Sequence, residues 1–331
     1  MKTLEGKVAV VAGATRGAGR GIACMLGEAG AVVYCSGRSS RERPNTEGCF
    51  AGRPETIEET AEMVTARGGV GIPARTDHSD ERQVEALFER VSKEQGRLDV
   101  LVNDISEGVE HEWKPFWKLS LDNGLRALRR GIDTHIITTR HAAPLMVGQK
   151  SGLVVEIGDG DALFYRGHLF YDLVKVTAAR LAYAWAEELR PHNVAALYVT
   201  PGFMRTETVL EHFGATEENW REVAEKSNKA RGMGFAGSES PYFVGRAVAA
   251  LAADPNVIEK SGGLYSSWGL AEEYGFDDLD GTRPHWWRYF SEHFPQMADA
   301  KPNTSFRWRL EHVADAERPA PKKRRGKAAG K

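Results

Sequence analysis

A short apolar run followed at once by a glycine-rich turn constrains this chain more than any other feature. Residues 8–12 read Val-Ala-Val-Val-Ala, which is typical of a buried strand, and a helical pattern begins at about Arg20. Between them lie Gly13, Gly17 and Gly19. Glycine accepts positive φ and close approach by a ligand, and a helix N-terminus attracts anions. The segment predicts a turn that binds a pyrophosphate; a turn required only for packing is the alternative.

Composition limits the class of protein. The 331 residues are 41% hydrophobic, which is enough for one large core, so we expect one catalytic domain with an extension. The formal net charge of −2 gives no general attraction to nucleic acid or to an anionic membrane.

The cysteines and the apolar runs indicate the cellular setting. Cys24, Cys35 and Cys49 form no C-x-x-C pair, so neither a disulfide framework nor a metal site is predicted. The sequence has no signal-peptide pattern and no run of about 18 apolar residues that would cross a bilayer. We expect a cytoplasmic protein with a small-molecule substrate and no membrane partner.

Strand-like runs alternate with helical patterns through most of the chain. The predicted strands are residues 8–12, 31–35, a run ending near Asp77, 98–102, 153–157 and 194–199. This alternation predicts an α/β fold, a Rossmann-like, doubly wound parallel sheet with helices on both faces. Ligands of such sheets bind at the carboxyl ends of the strands.

Residues that follow the second strand indicate the type of cofactor. No Asp or Glu is placed there to bind the ribose 2′-hydroxyl of NAD; Arg38 follows the strand instead, and Arg16 in the glycine turn is able to reach the same place. A guanidinium group suits a 2′-phosphate. We therefore predict NADP(H); the alternative is that both arginines are solvated surface residues.

Polar residues at two further strand ends are candidates for the cofactor site. Asp77 follows the third strand and is placed to bind the adenine amino group, although Asp77 or Ser79 is equally suited to cap the helix beginning at Asp80. Asn103 ends the fourth strand, where a structural role beneath the cofactor is expected.

Tyr171 and Lys175 form the strongest chemical pattern. They lie one turn apart on a predicted helix that continues to about Leu189, so they share one face. A phenol loses its proton only near pH 10, and a neighbouring ammonium favours the phenolate. The pair is therefore suited to exchanging a proton with an alcohol or a carbonyl.

These motifs together resemble the short-chain dehydrogenase/reductase family over about residues 5–270. The run Thr200-Pro201-Gly202-Phe203-Met204-Arg205-Thr206 is similar to the family's P-G segment, which lies along the nicotinamide. An insertion at 40–56 and the pair Tyr198-Val199 most resemble the subgroup around dehydrogenase/reductase SDR family member 1. The predicted cofactor-binding residues are Gly13, Thr15, Arg16, Gly17, Gly19, Arg38, Asp77, Asn103, Tyr171, Lys175, Pro201, Gly202 and Thr206.

The resemblance implies hydride transfer between NADP(H) and a carbonyl or alcohol. Tyr171 would then be the proton donor and acceptor, and Lys175 would position the ribose. Similar proteins form dimers or tetramers through the helix that carries the tyrosine, so the resemblance also implies a homodimer or homotetramer.

Two positions depart from the family pattern. The family has a substrate-binding Ser where this chain has Gly158 or Asp159, depending on the direction of counting, and a relay Asn where it has Gly131. A protonated Asp159 would donate the missing hydrogen bond, and an ionised one would bind a cationic or hydroxyl-rich substrate. Asp159 is thus a third candidate catalytic residue; alternatively, Asp159 and Asp161 only shape a turn.

The remaining chain is divided by composition. We predict a catalytic domain over 1–270 with a substrate lid at about 203–240, an extension over 271–318 packed on the core, and a disordered basic tail over 319–331. Apolar residues in this segment would form the underside of the lid. Packing between helices explains these residues equally well. The aromatic run 284–290 is expected to pack over the core or at a subunit contact.

Three functional classes follow from these observations. The first is an NADP(H)-dependent oxidoreductase. The second is a cyclase, isomerase or lyase on the same scaffold that uses Asp159, and its support is the missing Ser. The third is a cofactor-bound protein without turnover, supported by the absence of both the Ser and the Asn.

Overall fold

A parallel β-sheet forms the centre of the protein in the computed structural model, which describes residues 3–160 and 165–295. The strands are β1 (Val8–Ala12), β2 (Val32–Gly37), β3 (Val70–Arg75), β4 (Val100–Asn103), β5 (Gly152–Ile157), β6 (Val194–Thr200) and β7 (Leu264–Ser266). Their order is β3-β2-β1-β4-β5-β6-β7, and every neighbouring pair is parallel. The predicted fold class is confirmed.

Helices cover both faces of this sheet. They are α1 (Gly17–Glu28), α2 (Ile57–Ala66), α3 (Glu81–Gln95), α4 (Leu121–Leu128), α5 (Thr134–Gln149), α6 (Leu169–Leu189), α7 (Glu207–Phe213), α8 (Trp220–Lys226), α9 (Asn228–Gly232), α10 (Pro241–Ala253), α11 (Ser267–Tyr274) and α12 (Trp286–His293). In the part of the chain that the structure describes, none of them is long and apolar enough to cross a bilayer.

Alternating side chains of the strands divide the core into two layers. In β1, Ala9 and Val11 pack with residues of α1 and α10 on one face, and Val8 and Val10 pack with residues of α3 and α5 on the other. All five β1 residues are buried, because a central strand with helices on both sides is apolar on both faces. The unbroken apolar run at 8–12 therefore reflects its position in the sheet.

The predicted strands are present, with ends shifted by one or two residues. The last strand, β7, was not predicted, because its three residues are only half-buried and too short to show a period. Helix α1 begins at Gly17 rather than near Arg20.

The chain between β6 and α10 forms a small core of its own. Trp220 and Phe235 are buried there together with partly buried Phe203 and Phe213. The apolar residues expected beneath the lid thus pack mainly against one another, as the helix-packing alternative requires.

A buried arginine joins this region to the chain after α11. Arg205 is 2% exposed, its guanidinium lies 3.9 Å from the centre of the Trp220 ring, and it pairs with Asp278 at 3.7 Å. Trp286 of α12 packs on Phe203, with ring centres 5.7 Å apart. Residues 271–295 therefore contact the 203–240 segment; the predictions for 296–331 lie outside the described residues.

Candidate active site

A cleft opens at the carboxyl ends of β1, β2 and β4, where chain connections leave the sheet in opposite directions. Its volume of about 340 Å³ is in the range of small-molecule sites. The predicted site residues that line it are Gly13, Thr15, Arg16, Gly17, Arg38, Asp77, Lys175 and Thr206. Its position is that of ligand sites in doubly wound sheets.

The glycine turn serves packing and the cleft together. Gly13 has φ of +96°, and a Cβ there would lie 2.1 Å from the carbonyl oxygen of Asp104. A Cβ at Gly19 would lie 2.4 Å from the carbonyl oxygen of Gly13. Gly17 has φ of +57° and lines the cleft. Gly13 thus lets the turn contact the loop after β4, Gly19 lets the turn close on itself, and Gly13 and Gly17 line the cleft.

Carboxylate oxygens accept hydrogen bonds from backbone amides at the start of α1. Gly17 N–H donates to Glu207 Oε2 at 2.9 Å, and Gly19 N–H donates to Asp104 Oδ2 at 2.6 Å. Burial raises the pKa of Asp104 to about 7. Helix N-termini attract anions, and at this one two backbone amides are paired with carboxyl groups of the protein.

Arg16 has an unused donor at the same end. Its Nε donates to Glu55 at 3.2 Å and its guanidinium lies 4.6 Å from the centre of the Phe50 ring. Its Nη2 is buried and has no hydrogen-bond partner among the described residues. A buried unpaired guanidinium nitrogen is unfavourable without an acceptor. The residues therefore fit a phosphate-bearing ligand, and Arg16, with a side chain 15% exposed, is not a solvated surface residue.

Asp77 and Asn103 have different roles. Asp77 lines the cleft and its Oδ1 accepts from Ser79 N–H at 3.0 Å. Asp80 caps α3 by accepting from Arg82 N–H, so the capping alternative for Asp77 and Ser79 is wrong. Asn103 is fully buried beneath the cleft, where its amide donates to Glu156 Oε1 at 2.5 Å. This agrees with the expected structural role and not with direct cofactor contact.

The P-G segment reaches the cleft only at its end. Gly202 N–H donates to Glu239 Oε2 at 2.9 Å, and a Cβ at Gly202 would lie 2.8 Å from Cβ of Trp286. Pro201 is buried, and neither Pro201 nor Gly202 is among the residues that line the cleft. Met204 and Thr206 line the cleft, and Thr206 also caps α7.

Tyr171 and Lys175 lie in the first two turns of α6, as predicted. His168 caps this helix by accepting from Tyr171 N–H at 3.2 Å. Lys175 is half-buried in the cleft lining. Tyr171 lies beside the cleft, with its ring 5.0 Å from His111 and 6.4 Å from Trp113. Two rings of the β4 loop (residues 104–115) thus cover the tyrosine.

Asp159 is the hydrogen-bond partner of the tyrosine. Tyr171 OH donates to Asp159 Oδ2 at 2.7 Å. A Cβ at Gly158 would lie 2.4 Å from the Tyr198 ring, so no side chain fits there. Of the two candidates for the family's Ser position, Asp159 is the one that faces Tyr171, and it does more than shape a turn.

Electrostatics keep the phenol protonated in this arrangement. Burial and the Asp159 carboxylate raise the pKa of Tyr171. The expectation that Lys175 would favour the phenolate is wrong for this geometry, because Lys175 Nζ pairs with Glu107 Oε2 at 3.5 Å. Burial lowers the pKa of Lys175, but Glu107 and Asp159 outweigh it and the net shift is upward.

No side chain takes the place of the family's relay Asn at Gly131, and Lys175 pairs with Glu107. Gly131 is buried in a π-helical turn between α4 and α5 (Arg129–Asp133), and a Cβ there would lie 2.6 Å from Val174. No longer side chain fits at 131. The β4 loop supplies Glu107 to Lys175 instead, and Glu107 Oε1 is 2.9 Å from His111 Nε2.

Sequence reasoning missed four residues of this site. They are Glu107, His111, Arg166 and Glu207. Arg166 Nε donates to the backbone carbonyl of Asp159 at 2.8 Å and so fixes its position. Only Glu207 carried a usable signal, because it follows directly on the P-G segment; the others lie in loops without a recognisable period. Among the described residues, no group of three or more His, Cys, Asp or Glu is arranged to hold a metal ion.

Comparison with known proteins agrees with this fold. Residues 7–215 match the family described as short chain dehydrogenase. The chain belongs to the short-chain dehydrogenase/reductase family, a family of oxidoreductases that bind a nicotinamide cofactor.

Within the family, the chain is similar to dehydrogenase/reductase SDR family member 1. It is 37% identical to the Mus musculus protein over 283 residues, covering 84% of this chain and 85% of that protein, and 36% identical to the Homo sapiens protein over the same shares. The resemblance to this subgroup is confirmed.

Solved structures agree with the fold. A short chain dehydrogenase from Mycobacterium thermoresistibile has a TM-score of 0.68 and 20% identity, over 86% of this chain and 92% of that one. A metagenomic short-chain oxidoreductase in complex with NADP has a TM-score of 0.58 and 24% identity, over 77% and 94% of the two chains.

Proposed function

We propose that this protein is an NADP(H)-dependent oxidoreductase that interconverts carbonyl and alcohol groups. The observation that carries the proposal is the hydrogen bond from Tyr171 OH to Asp159 Oδ2, one helical turn from Lys175 in the cleft lining. The proposed proton donor thus lies beside the cleft, next to Lys175 of its lining, and the arginines at the other end are suited to phosphate.

The choice of NADP(H) is supported by the arginines. Arg16 Nη2 is buried without a partner among the described residues, and Arg38 lines the same part of the cleft. Guanidinium groups pair with phosphate through charge-assisted hydrogen bonds. The glycine turn and Thr206 would hold the dinucleotide, which when bound supplies or accepts the hydride.

Tyr171 and Asp159 would act together as the proton carrier. In reduction, Tyr171 OH gives its proton to the carbonyl oxygen and takes another from solvent by way of Asp159 Oδ2. In oxidation, the same atoms work in reverse: Tyr171 takes the alcohol proton while its own moves to Asp159 Oδ2. Lys175, kept charged by Glu107, holds positive charge beside the ring. The rings of His111 and Trp113 shift aside when substrate reaches the tyrosine.

Turnover experiments distinguish the three functional classes. The full-length protein is mixed with NADPH and a panel of ketones and aldehydes, and the near-ultraviolet absorbance of NADPH is followed. We expect NADPH consumption with at least one substrate. Product formation without nicotinamide consumption would instead support a cyclase, isomerase or lyase that uses Asp159, and binding of NADPH without chemistry would support a non-catalytic role.

The expected dimer has a candidate surface. Apolar side chains are exposed on α4, α5 and α6: Leu121 is 66%, Leu125 41%, Ile136 43% and Leu173 40% exposed. Exposed apolar patches of this kind are typical of subunit contacts. We infer a homodimer or homotetramer through these helices, which sedimentation analysis tests, and a cytoplasmic location, in keeping with the free Cys24, Cys35 and Cys49.

A further inference from the structure

The insertion at residues 40–56 lies across one end of the cleft. Asn45 and Phe50 of the insertion line the cleft together with Arg38 and Asp77. The insertion is short of regular structure, with one turn of 3-10 helix at Gly48–Phe50, so contacts with other elements have to hold it in place.

One side of the insertion is fixed to the β4 loop and the π-helical turn. Cys49 N–H donates to the carbonyl oxygen of Gly108 at 3.4 Å, and a Cβ at Gly48 would lie 2.2 Å from that oxygen. Glu47 Oε2 pairs with Arg130 Nη2 at 3.0 Å. The insertion therefore reaches over the cleft from the β2 side to the β4 side.

The other side of the insertion is fixed to the glycine turn and to α7. Arg53 pairs with Glu55 at 2.5 Å and, through a second nitrogen, with Glu211 of α7 at 2.7 Å. Glu55 in turn accepts from Arg16, whose guanidinium lies on the Phe50 ring. One arginine thus connects the insertion both to the glycine turn and to the helix that follows the P-G segment.

We propose that residues 40–56 form a strap over the adenosine 2′-phosphate end of the dinucleotide, and that the Arg53–Glu211 pair latches this strap to α7. The proposal rests on the proposed function, since it takes NADP(H) as the ligand. Phe50 and Asn45 would then contact the nucleotide directly, and release of the cofactor requires the strap to open.

The charges explain why the latch opens without loss of the fold. Arg53 has a side chain only 13% exposed and keeps Glu55 as a partner when Glu211 leaves, whereas Glu211 is 64% exposed and is readily solvated. Because α7 begins at Glu207 beside Gly17, the latch couples closure over the nucleotide to the position of α7.

The test measures cofactor release. NADPH fluorescence is followed by stopped flow as the complex is diluted into excess unlabelled NADP⁺, for the full-length protein and for Glu211→Gln and Phe50→Ala. We expect about tenfold faster release from each variant, with the association rate little changed. Glu218→Gln is the matched control, because Glu218 is an exposed acid of the same segment that makes no contact with the strap.

Hydrogen exchange gives an independent measurement. The backbone amides of residues 40–56 should exchange more slowly when NADPH is bound. This slowing should be smaller in Glu211→Gln than in the wild type. Wild-type release rates in both variants, with NADPH bound normally, would overturn the strap and leave the proposed function intact. If the wild-type protein binds neither NADPH nor NADH, the proposed function fails and the strap fails with it.

Discussion

The two ends of the cleft are built in different ways. At the glycine turn, the candidate binding groups lie close together in the sequence: Arg16 and the turn glycines belong to one strand-turn-helix segment, and Arg38 follows the neighbouring strand β2. At the tyrosine end, the groups that we propose to react or to position the reaction come from separate elements: Asp159 after β5, Tyr171 and Lys175 on α6, and Glu107 in the β4 loop.

This difference shows which part of the family pattern tolerates change. The turn cannot lose Gly13, because any side chain would meet the backbone at Asp104. The tyrosine end lacks the uncharged Ser and Asn of the family pattern and has the carboxylates of Asp159 and Glu107 beside Tyr171 and Lys175. The replacement moves negative charge next to the proton donor, so this end should depend more strongly on pH than the nucleotide end.

Removing the phenol should have the largest effect. Tyr171→Phe is expected to lower kcat by about 100- to 10,000-fold, the usual contribution of a positioned acid or base, and to leave NADPH affinity unchanged. Tyr183→Phe on the same helix is the control. Steady-state kinetics and fluorescence titration check this; a large loss of NADPH affinity would mean that the two ends are not independent.

Substitution of an arginine at the other end of the cleft should change the affinity for the cofactor rather than kcat. Arg38→Ala is expected to weaken NADPH binding by about 10- to 100-fold, since hydrogen bonds to charged groups contribute roughly 1.5–3 kcal/mol. NADH binding should change little. Arg75→Ala, an exposed arginine at the end of β3, serves as the control, and equal losses for both dinucleotides would contradict the assignment of Arg38.

Removing the charge of Glu107 tests whether the tyrosine end depends on pH through Lys175. Glu107 raises the pKa of Lys175, so Glu107→Gln lowers that pKa, and Lys175 loses its proton at lower pH. We expect the alkaline limb of the kcat profile to move to lower pH, because Lys175 loses the carboxylate that raises its pKa. An unchanged profile would show that Glu107 only supports the loop.

The smallest effect concerns stability at the nucleotide end. Burial raises the pKa of Asp104 to about 7, above its value in the unfolded chain. The stability from protonated Asp104 is therefore full below the unfolded pKa and is lost as pH rises through about 7.

Thermal melting checks this stability term. The wild-type Tm is expected to fall between pH 5 and pH 8, by about 2–4 °C for each kcal/mol lost, and the fall should be smaller in Asp104→Asn. Glu85→Gln, an exposed acid of α3, should follow the wild type. If Tm falls equally with pH in the wild type and in Asp104→Asn, the change in stability does not come from Asp104.

Much of the fold, and less of the site, was predictable from the sequence. The apolar run at 8–12 and the glycines after it gave the first βα unit, because backbone preference is local. The residue that faces Tyr171 could not be decided by counting between Gly158 and Asp159. The clash between a Cβ at 158 and the Tyr198 ring on β6 decides it, and no local pattern records that contact.

By itself the sequence determined the parallel sheet, the glycine turn and the helix that aligns Tyr171 with Lys175, since each follows from the spacing of nearby residues. Only the tertiary structure decided that Asp159 accepts from Tyr171, that Glu107 pairs with Lys175 and that the insertion joins α7 through Arg53. These contacts link residues 12, 68 and 158 positions apart, and such distances are closed by packing of the whole chain.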